Sequence, residues 1–476
     1  MIRIRRYLGR LTPKQAFILF VACFGLYALV AFDRVKGPSP HIHFVDLAES
    51  FMNGRLDTDF PNKRCGATRI QEKKGKALPG YADFVCNNKG NDWATFYELT
   101  TKDGQTLKGV WRYKDGTKKH WFFGINGKLH IVDKSRDLKK GTREKAHHFV
   151  SFPPAPAVLM MPFVKIWHYR FNDVLFTLFF AAANVLLLLL LFEKLTALGR
   201  SNRTLVENIL LAMLLGFGSS IFFSSVRGEV WFTALVIGLT FNVLFIICSL
   251  DARHPVWAGL MLALAVATRV PLAFGCIFFA LELFRIPDWR RRLERAAWFA
   301  LPLLIMAGLL MWYNLARFGS PTEFGHTYLA YGQRASIVKH GLFSPHFLNA
   351  NLHAALANVP IIHGTFPYIS LTKHGISIFA ATPALLFVLW PKRWTPGMTS
   401  AAAALACVAL PGLFYQNTGW EQFSYRFSID YLPFLGILLA CGDRDFGRTF
   451  KLACAASFVI SAFGAITFNR YGVFYA

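Results

Sequence analysis

Apolar runs long enough to cross a bilayer alternate with short polar turns along most of the chain. The runs at 15–32, 173–192, 205–225, 230–250, 298–316, 399–414 and 452–468 carry few or no charges, and about 20 such residues wound as a helix span a hydrocarbon core. Shorter runs lie at 256–268 and 270–284, broken by Arg269-Val270-Pro271, and at 376–390 and 431–441. Counting these as crossings, the pattern predicts an all-α polytopic membrane protein with about eleven transmembrane helices. The first run follows the basic stretch MIRIRRYLGR but has no small-residue cleavage site after it. It reads as a retained helix rather than a signal peptide.

One segment breaks the period. Between 93 and 133 the runs ATFYELT, TLKGVWRY, KHWFFGI and KLHIVD are rich in aromatic and β-branched residues. Asp103-Gly104, Asp115-Gly116 and Asn126-Gly127 punctuate them, which is the signal for tight hairpins. A four-stranded antiparallel β-meander is expected there. Ahead of it, residues 41–54 read as a short helix. Asp46 and Glu49 are three apart and share a face, with His43 one turn before Asp46. Phe44, Leu47, Ala48 and Phe51 line another face, so the helix is expected to lie along a membrane surface. Pro153-Pro154 then opens a helix over Ala155–Trp167, too short to span by itself. Three parts follow: 1–32, a cytoplasmic tail and first helix; 33–154, an extracytoplasmic loop with the interfacial helix and the meander; and 155–476, a helical core with outer loops 317–373 and 416–430.

Composition agrees with this picture, and charge adds sidedness. The chain is 54% hydrophobic and 16% aromatic with a net charge of +25. The basic residues gather in turns, among them Lys194 to Arg203, RIPDWRRRLER and Pro391-Lys392-Arg393. These turns fall on one side of the predicted spans, which places them and the N-terminus in the cytoplasm. The positive charge is therefore that of a lipid-embedded protein and not of a nucleic-acid binder. Six cysteines sit in apolar runs, whereas Cys65 and Cys86 lie in the first outer loop and are disulfide candidates.

Polar side chains concentrate on the outer face. No phosphate-binding glycine loop, HExxH or GxSxG is present, so those routes to ATP hydrolysis, zinc proteolysis and serine hydrolysis have no support. A carboxylate among Arg, Lys and aromatic residues suits group transfer from a phosphate-activated donor: the carboxylate takes a proton from the acceptor hydroxyl, and cations offset charge on the leaving group. Asp46 or Glu49 is the candidate base. Arg269, at the helix break, and Lys373, at an outer helix entrance, are candidate phosphate contacts. His43, Arg317, Glu323, Trp420 and Tyr425 are candidate substrate contacts, although Arg317 and Glu323 also frame a Gly-Ser-Pro turn. Arg426 stands four residues before Asp430, a spacing that also allows a plain ion pair. Asp57-Thr58-Asp59 has the form of a metal-holding triplet or of a loop and cap.

The segments HFVDLAESFMNGRLDT, VSFPPAPAVLMMPFV, GLMLALAVATRVP, YNLARFGSPTEFGHTY and GWEQFSYRFSIDYLPFL, in that order, resemble GT-C type glycosyltransferases. That superfamily holds protein O-mannosyltransferases and bacterial lipid A aminoarabinose transferases. The resemblance implies a multi-span fold in a bacterial cytoplasmic membrane, a polyprenyl-phosphate-linked sugar donor, an extracytoplasmic acceptor and a catalytic acid in the first outer loop. By position that acid is Asp46 or Glu49, and the resemblance assigns Arg426 to the donor phosphate. Many members carry an adjacent Asp-Glu pair where this chain has Pro40-His41, so His41 and His43 stay beside Asp46 and Glu49 as alternatives. No cofactor is implied, and a divalent cation has no specific motif. The competing expectation is a transporter or flippase of lipid-linked saccharides.

Overall fold

The computed structural model describes residues 10–61, 78–88, 92–112, 121–125, 128–133, 137–139, 144–329, 337 and 339–475. The chain divides into two compact units. A helical unit comprises Met1–Ser39, Asn172–Met306 and Leu342–Ala476, and an insert unit comprises Pro40–Phe171 and Ala307–Gly341.

Among the described residues, six helices are long and apolar enough to cross a membrane: Pro13–Val30, Asp173–Ala197, Val230–Ala252, Trp289–Phe318, Pro396–Phe414 and Arg448–Thr467. Some of their starts are chemically marked. Thr12 and Gln15 form a reciprocal cap ahead of Pro13, and Asn172 accepts the Leu175 amide; such caps satisfy amides that have no partner in the first turn. The apolar window of Val230–Ala252 is 83% buried and that of Trp289–Phe318 11% buried, so the first is central and the second peripheral. These helices are compatible with a lipid bilayer.

About eleven transmembrane helices were expected; six described helices reach that length, and several of the predicted runs are broken. The run at 205–225 stops at Phe217, and Ser219 caps a separate turn of helix over Ser220–Ser225. The run at 376–390 is an α-turn at Ile378–Ala381 followed by a 3-10 segment over Pro383–Leu389, because Pro383 cannot continue the α-helical hydrogen bonding. Pro255–Val266, Val270–Leu283 and Leu432–Cys441 are apolar but short.

The insert unit is built on an antiparallel sheet of β1 (Trp93–Thr100), β2 (Thr106–Arg112), β3 (Trp121–Gly124), β4 (Leu129–Ile131) and β5 (Lys145–Val150), in the spatial order β4-β3-β2-β1-β5. The first four strands are the expected meander. The fifth, KAHHFV, pairs with the free edge of β1, Trp93 against Val150 and Glu98 against Lys145. Alternation puts an apolar set on each face. Ala94, Phe96 and Val110 pack with Phe149, Phe318 and Tyr328, while Leu99 and Trp111 pack with Phe122 and Val132.

The helix expected at 41–54 runs from His43 to Met52. It is not laid along a surface: His43 through Ser50 are all buried. It packs against the Ala155–Trp167 helix and β5, and its polar face meets the turn at His168–Arg170.

Candidate functional site

The site of most chemical interest lies in the insert unit, on the polar face of the His43–Met52 helix. Asp46 is fully buried. The Tyr169 hydroxyl donates to Asp46 Oδ1 at 2.9 Å and also lies 3.2 Å from Asp59 Oδ2. The amides of Asp59 and Phe60 donate to the two Asp46 oxygens at 3.3 and 3.4 Å. Arg55 reaches Asp59 Oδ1 with both terminal nitrogens at 3.3 Å. Two carboxylates therefore share one phenol.

Local sequence explains how Tyr169 arrives there. Its amide bonds Pro79 O at 3.1 Å. Gly80 adopts φ +79°, and a Cβ at that position would stand 2.8 Å from the Tyr169 carbonyl carbon, so only glycine admits this approach. The Tyr169 ring stacks on Phe84 (4.7 Å) and meets the Tyr81 ring edge-on (5.2 Å). Both residues lie on the Tyr81–Asn87 helix, where Cys86 is disulfide-bonded; Cys65 lies outside the described residues. Phe60 (φ 58°) and His168 (φ 49°) adopt left-handed backbone beside the two carboxylates, a conformation costing of order 1 kcal/mol or more for such residues.

The electrostatics follow from burial. Loss of water, and then the like charge of Asp59, push the Asp46 carboxyl up to about 7; the Tyr169 hydroxyl and the two amides pull the other way. Burial and both carboxylates hold the Tyr169 phenol well above its ordinary range, so it stays a donor. Two neighbouring acids out of water cannot both ionise freely. The arrangement is one that accepts a proton near neutrality.

Glu49 sits on the same face as Asp46, as the three-residue spacing predicts, but has separate partners. His168 Nδ1 lies 3.1 Å from Glu49 Oε2, and Asn53 Nδ2 donates to Oε1 at 3.2 Å. His43 is buried with its ring stacked on Trp93 at 3.5 Å, and His41 is buried beside it. Thr58 ties the acidic triplet to the sheet, accepting from Trp93 Nε1 and donating to His148 O, both at 3.0 Å. His147 and His148 reach Glu98 and Thr95 on β1. Arg317 donates to Val150 O at 2.7 Å and covers the Tyr313 ring at 3.7 Å, while Glu323 accepts the Gly325 amide at 2.7 Å. The Tyr313 contact lies within the Trp289–Phe318 helix, and the Glu323 contact belongs to the turn after it.

The remaining predicted residues belong to the helical unit. Arg269 makes a bidentate ion pair with Asp430, Nε to Oδ1 and Nη2 to Oδ2 both at 2.7 Å. The partner of Asp430 is thus Arg269 rather than Arg426, the i,i+4 neighbour. Arg426 is buried and reaches the carbonyls of Trp420 and Glu421 at 3.4 Å. Those two residues form a turn with φ 20° and 55° that leaves Trp420 exposed. Lys373 Nζ lies 5.5 Å from the Trp420 ring centroid, and the His374 ring meets that ring edge-on at 5.1 Å. Gln422, fully buried, knits the loop: its Nε2 donates to the carbonyls of His374 and Thr418 at 2.8 Å, and its Oε1 accepts the Arg426 amide at 3.0 Å. Tyr425 is buried with its hydroxyl unpartnered.

Sequence reasoning missed Asp59, Tyr169, His168 and Gln422 as site-builders. Asp59 carried a weak signal in its acidic triplet. Tyr169 carried none, since the fold brings it to Asp46 across 123 residues. Among the described residues, no group of three or more His, Cys, Asp or Glu side chains is arranged to hold a metal. Compared with family models, curated proteins and solved structures, the chain matches none.

Proposed function

We propose that this chain is an integral membrane glycosyltransferase that moves a sugar from a polyprenyl-phosphate-linked donor to an extracytoplasmic acceptor, a glycan, lipid or protein. In this reading the chain crosses a bacterial cytoplasmic membrane about eleven times, with some crossings made by broken helices and the basic turns inside. The observation that carries the reading is geometric: Asp46 is a buried carboxyl that shares the Tyr169 hydroxyl with a second acid, Asp59. A base for a sugar or protein hydroxyl needs this balance: enough affinity to take the proton, and ionisation at working pH.

Asp46 takes the acceptor proton as the hydroxyl oxygen attacks the anomeric carbon, and the bond to the carrier phosphate breaks with inversion. Burial, then Asp59 and Tyr169, set the proton affinity of Asp46. The sequence candidates for phosphate contact, Arg426 and Lys373, belong to the helical unit, where Arg269 is paired with Asp430. Glu49, paired with His168, is the secondary candidate for the base.

The test is sugar transfer by the purified chain from a radiolabelled polyprenyl-phosphate donor. Asp46→Asn should lower transfer by about 10³-fold while Glu49→Gln lowers it less than about tenfold. Full activity in a folded Asp46→Asn protein would remove Asp46 as base. Movement of the donor between leaflets without any transfer would favour the flippase.

A further inference from the structure

The stretch from 341 to 372 contains no Asp, Glu, Lys or Arg, which is unusual for a segment outside the spans. Its end forms a small hairpin in the helical unit. Ile361 pairs with Ser370 and Ile362 with Ile369, and the His363 amide bonds Tyr368 O at 2.8 Å. Large apolar side chains project from it unburied: Ile362 is 84% exposed, and Val359, Phe366 and Tyr368 are also more than half exposed. Burial of such groups against water is what folding ordinarily achieves, and a cluster of them left open marks a contact surface.

The surroundings identify what covers it. The Leu371 amide bonds Phe474 O at 2.8 Å. The Phe474 ring packs on Phe463 at 5.2 Å, and Tyr475 bonds Thr467 at 2.8 Å. Phe463 and Thr467 lie in the last turns of the Arg448–Thr467 helix, so the hairpin is fastened beside the end of a helix of membrane length. Tyr471 and Val473, exposed in the same strap, extend its apolar surface. The backbone sets the depth. Non-helical chain is excluded from the hydrocarbon core because its polar groups need partners. Here the ladder, and prolines at 360 and 367 that have no N–H to satisfy, reduce that demand. The boundary between headgroups and acyl chains, where aromatic residues concentrate, suits such a hairpin.

We propose that the hairpin at 359–369 dips into the lipid leaflet at the end of the Arg448–Thr467 helix, seating Val359, Ile362, Phe366 and Tyr368 at the acyl boundary. The occupant of this surface is lipid, whatever reaction the protein performs. The test uses the full chain in lipid nanodiscs with the exposed Cys276 replaced by Ser. A nitroxide label is attached at Ile362→Cys, or in a second protein at Phe366→Cys, with Val459→Cys on the exposed side of the Arg448–Thr467 helix as reference. Collisions with oxygen, which concentrates in lipid, should exceed those with a water-soluble nickel chelate severalfold at both hairpin positions, as at Val459. Dominant nickel collisions at 362 and 366 would overturn the proposal. So would shielding from both reagents, which would indicate a protein partner. If Val459 itself met the nickel chelate, the helix would not cross lipid and the proposal would fall with it.

Discussion

Two buried carboxylates of the molecule make a contrast. In the helical unit, Asp430 meets Arg269 in a bidentate pair. In the insert unit, Asp46 meets another acid, Asp59, with a phenol between them. Opposite charges with matched geometry compensate each other's loss of water, and such a pair resists change. Like charges leave part of that cost unmet, and the unmet part appears as affinity for a proton. Between these two carboxyls the neighbour's sign adds to burial, which is the larger cause at Asp46. By this comparison Asp46 is the group with raised proton affinity and Asp430 the charge-paired one.

Four experiments break or sharpen this contrast. The largest effect is expected at the acid pair: Asp46→Asn should lower transfer by about 10³-fold, within the ~10²–10⁴ that a general base contributes, while Glu49→Gln lowers it less than about tenfold. Next is the ion pair. Arg269→Met strands Asp430 and should cost about 3–5 kcal/mol in detergent-solubilised thermal unfolding, with Asp430→Asn in the same chain restoring much of it.

The third is pH. Transfer should rise as pH passes through about 7, the value to which Asp46 is pushed, as an apparent value of the pair. Asp59→Asn removes the like charge and should move this limb to lower pH. Tyr169→Phe removes a donor to the anion and should move it to higher pH. The same raised value has a stability consequence: the folded state binds the proton more tightly than the unfolded chain. The stabilisation is full below about 4 and is lost as pH climbs through the folded value. The unfolding midpoint should therefore fall over that window, and Asp46→Asn should flatten the slope. The smallest effect is at the sheet, where Trp93→Phe deletes the bond to Thr58 Oγ1 and should cost about 1–2 kcal/mol of thermal stability.

Much of the secondary structure was legible in advance because its causes are local. The Ala155–Trp167 helix follows from Pro153-Pro154, and β1 through β4 follow from apolar runs separated in sequence by Asx-Gly dipeptides, of which Asp115-Gly116 and Asn126-Gly127 lie outside the described residues. The fifth strand was not, since KAHHFV has no strong strand period of its own and is made a strand by the open edge of β1. The breaks within the runs at 205–225 and 376–390 were underestimated for a related reason: hydropathy averages over Gly218-Ser219 and Pro383, where capping and ring geometry end a helix.

At the candidate site the division is sharper. Sequence alone determined that Asp46 and Glu49 share a helix face, because a three-residue spacing does so in any α-helix. It also determined which stretches are apolar enough for lipid. Only tertiary structure decided that Asp46 faces Asp59 and Tyr169 while Glu49 faces His168, and that Arg269 crosses 161 positions to Asp430. The reason is physical. Helix and turn formation answer to interactions among near neighbours, whereas a carboxyl's proton affinity depends on which distant groups share its dry surroundings, and the chain's order does not list them.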